Sequence, residues 1–170
     1  NEEILELRDF IKNGNYSSGN AKTISKDVAD EYIDYILERE SLDKKLKIVI
    51  DAGNGIAGEI APKLFKKLGC DVTEMYCEID GTFPNHHPDP SKLENLTDLI
   101  AKVKELGADV GLAFDGDGDR LGIVTNSGET VAADRQLMLY AKDVIATKPG
   151  ASILYDVKST KNIDKFVADL

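Results

Sequence analysis

Residues 108–125 read Ala108-Asp109-Val110-Gly111-Leu112-Ala113-Phe114-Asp115-Gly116-Asp117-Gly118-Asp119-Arg120-Leu121-Gly122-Ile123-Val124-Thr125, two short apolar runs around a densely charged hexapeptide. The runs have the length and character of buried strands. Charges packed between two core strands are costly unless an ion or a partner neutralises them. Glycine at alternate positions lets the backbone curl without Cβ clashes. Asp115, Asp117 and Asp119 can therefore turn toward one point. They form a set of oxygen ligands of the kind Mg²⁺ takes while keeping room for waters or phosphate oxygens. The planar fork of Arg120 is placed to grip the same phosphate in two bonds. The bland alternative is a solvated acidic turn. A calcium EF-hand is rejected, because it requires Gly at loop position six and Glu at position twelve. Counted from Asp115 these are Arg120 and Asn126, and a strand follows where a helix should.

Outward from this hairpin, strands and helices alternate. Ile4, Leu7, Phe10 and Ile11 recur at helical spacing and Gly14 stops the pattern; residues 13–20 read as a loop. A helix is predicted over about 27–38, capped by Ser25, then a strand at 46–50 and a helix at 56–68 ended by Gly69. A strand follows from Cys70 to Cys77. Asp89-Pro90 forms a cap and first-turn pair for a helix running to Gly107. The 121–125 run is expected to return antiparallel to the strand before it. Past residue 130 a second unit starts: helix 133–146, a break at Pro149-Gly150, strand 152–157, helix 161–170. The prediction is an α/β fold with a mixed, mainly parallel sheet flanked by helices and partial neighbouring α/β domains. Such sheets bind ligands beyond the carboxyl ends of their strands, where the acidic hexapeptide lies.

Composition bounds the function. The chain has 170 residues, 42% hydrophobic and 31% charged, which predicts a soluble globule. Lys and Arg number 21 against 31 Asp and Glu, a net charge of −10. That balance disfavours nucleic acid and anionic membranes as partners. No apolar run approaches a membrane span and no secretory leader opens the chain. Cys70 and Cys77, seven positions apart in one predicted strand, lie on opposite faces and too far apart to bridge. Two reduced thiols suit the cytoplasm. The chain opens on Asn1 and closes on Leu170 inside helical patterns, which predicts a segment of a longer protein.

Gly53-Asn54-Gly55-Ile56-Ala57-Gly58 fits G-x-G-x-x-G between a strand and a helix, with Glu74 and Glu78 where a ribose-binding acid is expected. A dinucleotide-binding oxidoreductase module is therefore the rival reading; the alternative is a tight turn with close helix packing. Asp51 would set a negative charge near any pyrophosphate. His86 and His87 with Asp89 allow a zinc site or, between Pro84, Pro88 and Pro90, a stiff polar connection. Arg135 lies early in a helix, where a cation gains nothing from the dipole, and Lys158 lies at a predicted strand end.

Together these residues resemble the α-D-phosphohexomutase superfamily, and within it the bacterial phosphomannomutase/phosphoglucomutase branch. The resemblance is carried by Val49-Ile50-Asp51-Ala52-Gly53-Asn54-Gly55, Gly81-Thr82-Phe83-Pro84-Asn85-His86-His87-Pro88-Asp89-Pro90 and Phe114 to Arg120. Asp134-Arg135 and Asp156-Val157-Lys158 fit downstream. It implies that residues 1–27 end domain I, 28–129 form the metal-binding domain II and 130–170 begin domain III. It also implies interconversion of mannose or glucose 1-phosphate and 6-phosphate through a phosphoserine and a bisphosphorylated sugar. Asp115, Asp117 and Asp119 would hold Mg²⁺, Arg120 would steady the transferring phosphate, and Arg135 and Lys158 would contact the sugar phosphate. The partners implied are a phosphorylated hexose and the remaining domains of a parent enzyme. No Ser here is followed by His-Asn, the family's serine loop, so these residues alone are expected to have no mutase activity.

Overall fold

Strand β1, Lys47–Asp51, is an interior strand of the sheet, flanked on both sides. Its residues alternate between the two faces of the pleat: Ile48 and Ile50 point into one core cluster and Val49 into the other. β1 pairs in parallel with β2 (Asp71–Met75) on one side and β3 (Val110–Phe114) on the other. β4 (Leu121–Thr125) returns antiparallel on β3, and the short β5 (Thr130–Val131) continues on β4. The order is β2-β1-β3-β4-β5, a mixed sheet flanked by helices, as predicted. The computed structural model describes residues 2–14 and 16–170; Asn1 and Asn15, the latter within the predicted loop, lie outside the described residues.

Helices close both faces. Before the sheet come α1 (Glu2–Lys12) and α2 (Ala29–Leu37), and α3 (Ala57–Lys67) joins β1 to β2. α3 sets Ala61 and Phe65 against Ile48, Ile50 and Leu112; α2 packs beside α3 with Ile33 fully buried. On the other face α4 (Thr97–Leu106) joins β2 to β3 and buries Leu99 and Val103 against Val49, Ala113 and Val124. Last come α5 (Ala133–Thr147) and α6 (Asn162–Ala168), which pack on each other. Because α3 and α4 leave on opposite faces, the carboxyl ends of β1 and β3 form the switch point where such sheets open a crevice. No helix among the described residues is long and apolar enough to cross a membrane.

Four local predictions are corrected. Ser25 does not cap α2, which begins only at Ala29; the side chain that meets its first N–H is Asp27, whose Oδ1 accepts from Ala29 at 2.9 Å. Asp89-Pro90 does not open a helix: Asp89 accepts the N–H of Ser91, a 3₁₀ turn spans Leu93–Leu96, and α4 begins only at Thr97. β2 is shorter than the Cys70–Cys77 span: it starts at Asp71 and ends before Tyr76 at φ 50°, so both cysteines lie outside it as free thiols. Residues 152–157 are not a strand. Leu154 and Val157 are 96% and 95% exposed, and among the described residues no strand pairs with theirs.

Candidate metal centre

The acidic hexapeptide is the hairpin between β3 and β4. Asp115 N donates to Arg120 O at 3.3 Å, and Gly118 N donates to Asp115 O at 3.1 Å. This curl turns three carboxylates to one side: ligand oxygens of Asp115, Asp117 and Asp119 lie within 4.8 Å of one another. It is the only such group of His, Cys, Asp and Glu among the described residues. Asp115 is buried and the other two are exposed. The donors are all carboxylate oxygens, with no thiolate or imidazole, which fits a hard divalent cation.

The electrostatics of the loop are asymmetric. Burial pushes the Asp115 carboxyl up, but Arg120 outweighs it through its backbone N–H and its guanidinium and holds it below the usual range. The Arg120 N–H lies 3.0 Å from Asp115 Oδ1, and its Nε lies 2.6 Å from Oδ2. The Asp119 carboxyl is raised by the neighbouring charges of Asp117 and then Asp115. A divalent cation among the three would relieve that repulsion.

The loop rests on the turn after β1. Asp51 is fully buried; burial raises its carboxyl above the usual range, partly offset by the Gly53 N–H and by His86. His86 Nε2 lies 3.0 Å from Asp51 Oδ2, and the ring packs edge-on against Tyr76. Asn54, at φ 60°, ties three loops together: its N–H reaches Tyr76 O at 2.7 Å, its amide reaches Glu78 O at 2.8 Å, and it accepts Asn85 Nδ2 at 2.8 Å. Such strained backbone is held only where the surroundings over-determine it. The glycines of the G-x-G-x-x-G turn face protein. A Cβ on Gly55 would lie 2.7 Å from Gly116 O, and one on Gly58 would collide with the backbone of Cys77. The place a pyrophosphate would need beside Gly55 is filled by the acidic loop, so the dinucleotide reading fails. With Asp51 Oδ2 and His87 O beside its two ring nitrogens, His86 is not free to bind zinc.

The predicted residues fall into two groups. Asp115, Asp117, Asp119 and Arg120 form one. Arg135 and Lys158, both exposed, stand on adjoining segments, since Asp134 Oδ2 accepts Thr160 N at 2.9 Å. Among the described residues no ion pair links them to the acidic loop. A cavity of about 610 Å³ lies beside the loop, bordered by Pro90, Asp119, Arg120, Ala133, Gln136 and Tyr140. Asn54, His86 and Asp89 find partners that local sequence does not predict, namely Tyr76 O, Asp51 and Arg120. The signal that could have found them is the cluster of turn-forming and polar residues placed after β1 and β2, where an α/β sheet gathers its ligands.

Residues 30–128 match the family model "Phosphoglucomutase/phosphomannomutase, alpha/beta/alpha domain II". The chain is 52% identical over 169 residues to a phosphomannomutase/phosphoglucomutase of Pseudomonas syringae pv. tomato, covering 99% of this chain and 36% of that protein. It is 48% identical over 170 residues to a phosphoglucomutase of Neisseria meningitidis serogroup A, covering 99% of this chain and 37% of that one. The crystal structure of a phosphoglucomutase/phosphomannomutase family protein from Burkholderia thailandensis superposes with a TM-score of 0.95 at 48% identity, over 99% of this chain and 37% of that chain. The chain thus spans a little over a third of the length of these relatives. A putative phosphomannomutase from Thermus thermophilus shares the fold at 19% identity, with a TM-score of 0.61 over 78% of this chain and 31% of that one. Sequence and fold agree that this chain belongs to the phosphoglucomutase/phosphomannomutase family, whose domain II matches residues 30–128.

Proposed function

We propose that this chain is part of a cytoplasmic phosphohexomutase that interconverts hexose 1-phosphate and hexose 6-phosphate of mannose or glucose. In this reading residues 1–27 end domain I, residues 28–129 are domain II and residues 130–170 begin domain III. The observation that carries it is the convergence of the Asp115, Asp117 and Asp119 oxygens at the switch point of the sheet, within 4.8 Å of one another.

Asp115, Asp117 and Asp119 hold Mg²⁺ in this reading. When bound, the ion supplies positive charge that offsets the charge of a transferring phosphoryl group. Arg120 steadies that group: Asp115 and Asp89 occupy two of its five N–H donors, which leaves three pointing elsewhere. Arg135 and Lys158 bring positive charge toward the sugar phosphate from the second group. The phosphoserine and the rest of the sugar site come from other domains of the enzyme.

The test is a Mg²⁺ titration of the chain and of the complete enzyme, with Asp117→Asn as the variant. Saturable binding is expected, with affinity falling at least about tenfold in D117N as one charged ligand is lost. Unchanged affinity, or no binding by the complete enzyme, rules out the ligand assignment. The 170 residues alone are expected to show no turnover of mannose 1-phosphate, and measurable turnover overturns that part.

A further inference from the structure

Arg120 is held by more than the acidic loop. Its Nη1 donates to Asp89 Oδ1 at 2.9 Å, and the same oxygen accepts the backbone N–H and the hydroxyl of Ser91 at 3.1 and 2.7 Å. Asp89 sits between two prolines, each seated on a glycine at the end of the sheet. A Cβ on Gly53 would lie 2.8 Å from Pro88 Cβ, and one on Gly122 would lie 2.8 Å from Pro90 Cβ. With φ fixed at both prolines, Pro88-Asp89-Pro90 is a stiff strap laid from the end of β1 to the start of β4.

The strap is tied down at its upstream end. His86 Nδ1 lies 3.0 Å from His87 O, and Nε2 lies 3.0 Å from Asp51 Oδ2. A carbonyl oxygen only accepts, so Nδ1 carries a proton. The His86–Asp51 pair is the anchor. Asp51 itself is fully buried under the strap.

We infer that Asp89 is a positioning residue acting through Arg120: it holds the guanidinium to one side of the three aspartates and so keeps the space among them open to a divalent cation. This rests on the reading of the acidic loop as a metal site. Arg120 Nε already reaches Asp115 at 2.6 Å, while Asp119 lies 3.8 Å away. Once Asp89 is removed, the carboxylates left within reach of the guanidinium are those of the loop. Arg120 then folds over them and competes with the metal for the same oxygens.

A Mn²⁺ titration of the 170-residue chain tests this, read from the electron paramagnetic resonance signal of the free ion. Wild type, D117N, D89N, D89A, R120A, D89N/R120A and D89A/R120A are compared. Saturable binding by wild type that is lost in D117N reports on the loop itself, independently of Asp89. D89A is expected to weaken Mn²⁺ binding about fivefold and D89N about twofold. The Asn side chain keeps an acceptor for Nη1 and the turn to Ser91, but not the charge. In the R120A background neither substitution should weaken binding further, because the effect travels through the arginine. Wild-type affinity in D89A and D89N overturns the inference. So does an equal loss in the R120A background, which would be the direct field of the carboxylate. If circular dichroism shows D89A unfolded, D89N with and without R120A decides.

Discussion

Single side chains around the acidic loop have measurable signatures. Asp51 is fully buried and paired with His86 and the Gly53 N–H. Asp51→Ala strands both donors and should cost about 3 kcal/mol in urea unfolding, as breaking a buried pair does. Asp51→Asn keeps an acceptor for Gly53 and should cost about half as much. Burial, then the charge of Glu74, pushes the Cys77 thiol up to about 11. In the native chain at pH 8 it should therefore react with iodoacetamide far more slowly than in urea, with mass spectrometry reading the modified site. Tyr76 donates its O–H to Asp98 at 2.8 Å, and that bond, with burial and the same charge, raises the phenol from 10.0 to about 12. The folded state thus favours the protonated form. The contribution is present in full below pH 10 and is lost as pH rises toward about 12. Urea midpoints at pH 9 and 11.5 should differ more in wild type than in Tyr76→Phe.

Elements place these side chains by packing. α3 approaches the segment after β2 so closely at Gly58 that an added Cβ would strike the Cys77 backbone. Gly58→Ala should therefore destabilise by about 2 kcal/mol, through overpacking that backbone cannot relieve. Leu99, fully buried beneath β1 and β3, should cost about 3 kcal/mol as Leu99→Ala. The alternation of apolar runs with helical spacing made β1, α3, β3 and β4 legible, down to the antiparallel return of β4. The start of α4 was not legible. Asp89 is a good cap residue by type, but its carboxylate is already engaged by Ser91 and Arg120, and a 3₁₀ turn intervenes. A cap motif states what a side chain can bind, not which competitor reaches it first.

Across the whole molecule, order is uneven. α1 buries none of its residues; Ile4, Leu7, Phe10 and Ile11 are 47 to 69% exposed. An eleven-residue helix without packing is marginal in water. In hydrogen exchange α1 amides should lose protection within seconds, while those of β1 and β3 persist longest. A chain beginning at Asp27 should accordingly melt within about 3 °C of the full 170 residues, as followed by calorimetry.

The acidic hexapeptide, its flanking strands and the glycine-rich turn after β1 could be read directly from local composition, because steric freedom, charge density and apolar periodicity act over a few neighbouring residues. The failed strand at 152–157 could not, since pairing depends on which backbone lies alongside. Nor could the pairing of His86 with Asp51, 35 positions away, or the capture of Arg120 by Asp89, 31 away. These contacts exist because parallel strands bring distant loops to one end of the sheet. Local sequence thus specified which carboxylates gather in one loop. Tertiary structure decided their partners and held them in place, because only the folded sheet supplies the proximity and the low-dielectric burial that such pairs require.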